Sequence, residues 1–167
     1  MAQRQPIRFC IACGSAVEQR EAFGRLRPVC PACGHVHFLD PKVAAGVVVE
    51  ADGKVLLVRR SVEPETGKWT IPGGFVEADE DPAATARREC LEETGLMVQI
   101  QGLLDVLYGL EHPSGASIVI LYRGRRESGS LSAGDDADRV GFFGRDELPA
   151  LAFEATRQAL RRWKAGG

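Results

Sequence analysis

The stretch Gly74-Phe75-Val76-Glu77-Ala78-Asp79-Glu80-Asp81-Pro82-Ala83-Ala84-Thr85-Ala86-Arg87-Arg88-Glu89-Cys90-Leu91-Glu92-Glu93-Thr94-Gly95-Leu96 decides how this chain is read. Asp81 followed by Pro82 is a helix start: an N-cap acceptor, then a residue whose missing N–H costs nothing at the first helical position. Pro82–Thr94 is rich in Ala, Arg, Leu and Glu, and Gly95 is placed to end the helix. Glu89, Glu92 and Glu93 stand at i, i+3 and i+4, so they project from one face within roughly 100° of arc. Leu91 and Ala84 fall opposite, with Ala83, Cys90 and Thr94 on the flank, and this apolar side is expected to dock on a sheet.

Three like charges so close repel one another and raise their own pKa values unless cations neutralise them. For three isolated glutamates a solvated, salt-bridged helix face would be the ordinary reading. Here a Gly73-Gly74 turn precedes them, its backbone open to a ligand, and Arg88 stands among them. Such an oxygen-rich acidic site suits Mg²⁺ bound together with a phosphate substrate.

Outward from this helix the chain reads as alternating elements. Val43–Glu50 and Lys54–Arg59 are β-branched apolar runs around the turn signal Asp52-Gly53, a hairpin pattern. Lys68–Phe75 reads as a strand entering the Gly-rich turn. Met97–Tyr108, Ala116–Arg123 and a segment near Arg139–Phe143 read as strands, and a helix near Phe153–Lys164 follows. The whole is 167 residues, 44% hydrophobic and 26% charged, which fits one ordinary domain with a small appendage. No apolar run approaches the roughly 20 residues that span a bilayer. Met1–Pro6 is polar with no signal core behind it, so a cytoplasmic protein without membrane association is expected.

The appendage is the N-terminus. Residues 1–42 hold six bases (Arg4, Arg8, Arg20, Arg25, Arg27, Lys42) and three acids (Glu18, Glu21, Asp40), a balance of +3. The formal net charge of −2 leaves −5 for the remainder. Two knuckles, Cys10-Ile11-Ala12-Cys13 and Cys30-Pro31-Ala32-Cys33, carry the spacing of a four-cysteine Zn²⁺ site, each followed by a glycine (Gly14, Gly34). Two disulfides, in any of three connectivities, are the alternative; absence of a secretory signal disfavours them. Some 40 residues cannot bury enough apolar surface to fold alone, so the ion supplies stability. His35 and His37 are read as bystanders. These features divide the chain into a ribbon, residues 1–40, and a catalytic domain, residues 41–167.

Gly74, Glu80, Arg88-Glu89, Glu92-Glu93 and Gly95, with apolar residues at Cys90 and Leu96, match the Nudix box throughout its 23 residues. At ordinary residue usage, chance agreement is on the order of 10⁻⁸ per start position. Asp146-Glu147-Leu148-Pro149 resembles a common downstream element of that family, and the cysteine stretch running on to Asp40-Pro41-Lys42-Val43 resembles the zinc ribbon of its FAD and ADP-ribose pyrophosphatase subgroup. The resemblance implies an α/β (α+β) fold, an α/β/α sandwich around a mixed sheet. It also implies divalent-metal-dependent cleavage of the pyrophosphate bond in a nucleoside diphosphate linked to another group, ADP-ribose or FAD, releasing AMP. Carried over, Glu89, Glu92 and Glu93 bind Mg²⁺ or Mn²⁺, with the Gly73 carbonyl as a further ligand, and Arg88 pairs with Glu80 or the helix carboxylates.

A later loop supplies candidates for the base, Asp135, Asp136 and Asp138, with Asp136 in the catalytic set; Arg139 and Gly141 stand where relatives often carry Glu and Arg. Arg59, Arg60, Gly74 and Trp69 are the candidate substrate contacts, and Phe75 and Tyr108 are further rings able to stack on a base. The loop 108–115 lacks the Ser-Gln-Pro-Trp-Pro-Phe-Pro-like element of NADH pyrophosphatases, which disfavours NADH and NAD-capped RNA. Pro113 lies near where ADP-ribose hydrolases carry a proline, and nothing selects His112 as catalytic. Dinucleoside polyphosphates are a further substrate alternative. Relatives are often homodimers. Nucleic acid binding by the ribbon is disfavoured by its modest charge and few aromatics (Phe9, Phe23, Phe38).

Overall fold

The computed structural model describes residues 6–108 and 116–165, so His112 and Pro113 lie outside the described residues. It divides into two compact units, Met1–Pro41 and Lys42–Gly167.

In the first unit, β1 (Glu18–Ala22) and β2 (Arg25–Val29) form an antiparallel hairpin around Phe23-Gly24. The two knuckles repeat one backbone design. Gly14 N–H donates to the Cys10 carbonyl and Gly34 N–H to that of Cys30, and both glycines sit at φ 75°, where a side chain would strain the turn.

The second unit runs β3 (Val43–Ala51), β4 (Lys54–Arg60), β5 (Trp69–Thr70), β6 (Gly73–Phe75), α1 (Pro82–Thr94), β7 (Leu96–Tyr108), β8 (Ile118–Gly129), β9 (Ala137–Phe143) and α2 (Glu154–Lys164). Its strands join in the order β5-β4-β3-β8-β7, with β6 against β3 and β9 against β4. β3 and β8 are parallel and the remaining pairs antiparallel, so the sheet is mixed, as expected. The predicted β3–β4 hairpin forms at Asp52-Gly53, but β4 pairs with β3 only through Glu50↔Val55 and Ala51↔Lys54. Beyond that the strands part. Ala44–Gly46 of β3 turn to β6, while Val55–Arg60 of β4 pair with β9.

Two cores lie on either face of the sheet. Ala45, Val47, Val49 and Leu56 meet Ala86 and Cys90 of α1, whereas Val48, Val55, Leu57 and Leu121 meet Ala159, Leu160 and Trp163 of α2. Burial on both faces explains why β3 and β4 read as unbroken apolar runs.

The ends of α1 follow the sequence. Asp81 accepts hydrogen bonds from the Ala83 and Ala84 N–H groups, Pro82 opens the helix and Gly95 closes it in the left-handed conformation. Its docking face does not. Leu91 is 46% exposed, and the residues turned to the sheet are Thr85, Ala86, Cys90, Glu93 and Thr94. The helix approaches closely through small side chains, so size rather than hydropathy selects its inner face.

Candidate active site

Glu93 is the residue on which this site turns. It is 5% exposed, at the inner end of α1, and accepts the Gly73 backbone N–H at 2.9 Å. Burial, opposed by that N–H, pushes its pKa up to about 8. The helix therefore spreads its three acids across three environments: Glu93 inside, Glu89 half-buried and Glu92 in water. Burial also raises the pKa of Glu89, against the pull of Arg88.

Arg88 binds all the remaining box acids. Its Nε and Nη2 grip the two oxygens of Glu80, each at 2.9 Å, and Nη1 reaches Glu89 at 2.8 Å and Glu92 at 2.9 Å. Glu80 also accepts the Thr85 hydroxyl at 2.7 Å, and its pKa falls to about 2, chiefly through the Arg88 bond. Arg88 is thus the hub that orients the acids, held by Glu80 from behind.

The Gly-Gly turn makes room for this. A Cβ on Gly74 would overlap the Glu89 carboxylate, and one on Gly73 would stand 2.5 Å from the Ala45 carbonyl oxygen.

Of the loop acids, Asp135 reaches the glutamates: it offers an oxygen that lies, with one each from Glu89 and Glu92, within a 4.8 Å cluster. Asp136 lines the adjoining cavity, and its carbonyl accepts from the Ser61 N–H and hydroxyl. Asp138 is bound to Arg59 by two 2.7 Å bonds.

The cavity measures about 800 Å³ and extends from Gly73, Gly74, Arg88, Glu89 and Glu93 to an apolar wall of Ala44, Val119 and Leu121. Arg60 lies on its rim, pinned by the Pro64 carbonyl at 2.7 Å and stacked over the Phe153 ring at 5.0 Å. Phe75 lines it too, under Lys42. Arg59 is committed to Asp138, and Trp69 packs against Phe143 at the edge of the α2 core. The sequence did not point to Phe153; it sits at the N-cap of α2, where no periodicity marks a side chain for a cavity.

Residues 40–163 match the NUDIX domain family. The chain belongs to the Nudix family. A curated relative, the ADP-ribose pyrophosphatase of Methanocaldococcus jannaschii, is 39% identical over 77% of this chain and 78% of its own. The NAD-capped RNA hydrolase NudC of Stutzerimonas stutzeri is 28% identical over 93% of this chain and 54% of its own length. Among solved structures, a Nudix hydrolase from Nitrosomonas europaea superposes with a TM-score of 0.85 at 35% identity, covering 95% of this chain and 91% of that one. The chain is a Nudix hydrolase, and Gly74, Arg88, Glu89 and Glu93 of the box line the cavity.

The second metal candidate is in the N-terminal unit. All four cysteines are free thiols with sulfur atoms within 4.8 Å of one another; Cys10–Cys33 is 3.7 Å and Cys13–Cys30 is 3.5 Å. Four thiolates at about 2.3 Å from one ion in a tetrahedron would stand about 3.8 Å apart, close to the two distances above, so the cluster has the size and donor set of a site that could hold Zn²⁺. Hydrogen bonds from Ser15 lower the Cys13 thiol to about 6. Cys33, although the His35 backbone favours its thiolate, is pushed up to about 12 by the neighbouring thiols. The four resist ionising together without a cation between them. His37 is buried and His35 packs edge-on against it, both outside the sulfur cluster.

Proposed function

We propose that this Nudix hydrolase cleaves the pyrophosphate bond of ADP-ribose or FAD, releasing AMP and the phosphorylated partner, with Mg²⁺ or Mn²⁺ held by Glu89, Glu92 and Glu93, the Gly73 carbonyl and Asp135. The observation that carries this reading is a cavity that joins the carboxylates of Glu89, Glu93 and Asp135, of which Glu93 is buried, to an apolar, aromatic-edged wall. One end suits a charged anhydride and the other a flat base. The ADP-ribose pyrophosphatase relative supports the choice of substrate.

The donor set fits a hard divalent cation. It is all oxygen, and Glu93 carries a burial penalty that an adjacent positive charge would relieve. When bound, the cation offsets the charge of the pyrophosphate and acidifies the attacking water.

The chain's own groups do the rest. Arg88, clamped by Glu80, holds Glu89 and Glu92 in place. Arg60, preorganised by the Pro64 carbonyl and Phe153, presents its remaining N–H groups to phosphate oxygens. Asp136, on the cavity wall, accepts the proton of the water that attacks phosphorus, and the bond to the bridging oxygen breaks as the leaving phosphate departs. Phe75 and Phe153 take the stacking role for which Trp69 was a sequence candidate.

In the N-terminal unit, Cys10, Cys13, Cys30 and Cys33 hold a structural Zn²⁺, and residues 1–40 act as a separate ribbon ahead of the hydrolase domain at 41–167.

The test is AMP release from ADP-ribose, FAD, NADH and a 5′-NAD-capped oligonucleotide, with Mg²⁺ or Mn²⁺. The NAD-capped RNA hydrolase relatives make the capped oligonucleotide a comparison substrate, and NADH is the sequence-based alternative. ADP-ribose or FAD is expected to give the highest kcat/KM, and Glu93→Gln to lower it by 10² or more. A tenfold preference for NADH or the capped oligonucleotide would overturn the substrate assignment.

A further inference from the structure

We propose that one face of the N-terminal hairpin binds single-stranded nucleic acid. Antiparallel register places Arg20 directly opposite Arg27, and Ala22 opposite Arg25. Paired residues share a face and so do alternate residues of a strand, so Arg20, Arg25 and Arg27 all project from the same side. Glu18, on this same face, is bound to Arg20 at 2.8 Å and offsets its charge, and Arg27 donates to the Ala22 carbonyl at 3.2 Å. Among the described residues no acid of the hairpin is bound to Arg25 or Arg27, and Glu21 stands in register with Leu26 on the other side.

Two aromatic rings accompany these charges. Phe38 is 50% exposed with the Arg27 guanidinium 4.5 Å above its ring, and Phe23, 77% exposed, lies 5.7 Å from Phe38. Phe23 occupies the first turn position at φ 53°, where hairpins ordinarily place Asn, Asp or Gly. A bulky residue in that left-handed conformation is strained, and its ring faces water rather than a core, so neither backbone preference nor burial accounts for it. Its place beside Phe38 and Arg27 builds an open stack.

Interleaved arginines and aromatic faces are what a single strand requires: guanidinium groups for the phosphates, rings for the unpaired bases. A duplex offers no free base faces to Phe23, and an acidic peptide would use the arginines and leave the rings idle. Composition alone disfavoured nucleic acid because it counts these residues without placing them. The hairpin gathers them on one side.

The experiment is fluorescence anisotropy of labelled 12-residue oligouridylate and oligodeoxythymidylate with the full-length, zinc-loaded chain between 50 and 300 mM salt. A micromolar Kd is expected. The logarithm of affinity should fall against the logarithm of salt with a slope of about −1.4, the value for two phosphate contacts, Arg25 and Arg27, at about 0.7 each. Arg25→Glu and Phe23→Ala should each weaken binding at least fivefold, while Phe23→Trp keeps it. Zinc content and small-nucleotide turnover should match wild type in all three. Tighter binding of one oligomer assigns RNA or DNA as the polymer. No anisotropy change at 100 µM protein, wild-type affinity in Phe23→Ala, or an equally tight and Phe23-independent complex with a heparin fragment would each overturn the proposal.

Discussion

Gly73 and Glu93, twenty residues apart, are joined by one hydrogen bond: the Gly73 N–H donates to Glu93 Oε2 at 2.9 Å. The turn before α1 and the acid at its far end therefore hold one another. This gives the two neighbouring glycines different tasks. A Cβ on Gly73 would press on backbone, 2.5 Å from the Ala45 oxygen and 2.6 Å from the Gly46 Cα, whereas the nearest atoms to one on Gly74 belong to the movable end of Glu89. Gly73→Ala should cost about 1–3 kcal/mol and lower Tm by several degrees. Gly74→Ala should melt near wild type yet lose more than tenfold in kcat/KM. Thermal melts and AMP release on the same preparations separate the two.

Glu93 sets a stability signature that can be read without turnover. Its folded pKa, about 8, lies above the ordinary carboxylate value of 4.5. A carboxyl shifted upward stabilises the fold where it is protonated, and that contribution disappears as pH rises from about 4.5 through about 8. Cation-free protein should therefore lose Tm across this window, and Mn²⁺ should restore more at pH 8.5 than at pH 5.5. In Glu93→Gln both the pH slope and the difference in Mn²⁺ response should shrink. Equal Mn²⁺ shifts at the two pH values would argue against the cation lying beside this carboxylate.

What the sequence disclosed about this site follows from what local rules encode. Asp81, Pro82 and Gly95 act on their own backbone neighbours, so they marked the ends of α1 without any tertiary information. Spacing likewise put Glu89, Glu92 and Glu93 on one arc. Which acid would be buried is a tertiary matter. The face that meets β3 is lined by Thr85, Ala86, Cys90 and Thr94, too small and too polar to show in a hydropathy pattern, and Leu91 points outward as a decoy. Asp135 and Phe153 reach the site from a loop and a helix start well beyond the end of the box at Leu96, and no periodicity connects them to it. Trp69, one of the candidate substrate contacts, went to the α2 core instead, edge-on to Phe143 at 4.7 Å.

Asp135 and Asp136 both line the cavity, and Asp135 alone of the two shares an oxygen cluster with Glu89 and Glu92, so the proposed metal and base roles can be told apart by mutation. Asp135→Asn should raise the Mn²⁺ concentration needed for half-maximal activity about tenfold and leave kcat at saturating metal within a few-fold of wild type. Asp136→Asn should leave the metal requirement unchanged and lower kcat by about 10²–10⁴, the range for loss of a general base. A metal titration of each variant decides; interchange of the two patterns would reassign the base to Asp135.

The Arg88–Glu80 fork predicts an acid-side effect of opposite sign to that of Glu93. Glu80 is lowered to about 2, chiefly by the Arg88 hydrogen bond, so its contribution to stability is present above about 4.5 and is lost as pH falls towards 2. Glu80→Gln should therefore lower Tm at pH 7, and the gap to wild type should narrow by pH 2.5. Freed from Glu80, Arg88 would be drawn further towards Glu89 and Glu92, and kcat/KM should fall by up to about a hundredfold through misplaced acids.

The four-cysteine cluster should behave as the keystone of its own unit. The hairpin and two knuckles contribute little core, and Phe9, Ile11, Phe23 and Leu26 are all exposed, so apolar burial cannot hold these residues together. Cys30, itself buried, faces Cys13 at 3.5 Å. Cys30→Ser should abolish zinc retention by atomic absorption and render the chain cleavable by protease within residues 6–41, while a fragment beginning at Lys42 persists. The hydrolase unit has both of its cores within Lys42–Gly167, so its melting transition should survive the substitution. Full zinc occupancy in Cys30→Ser would remove the thiolate site, and simultaneous collapse of both units would show that the ribbon stabilises more than itself.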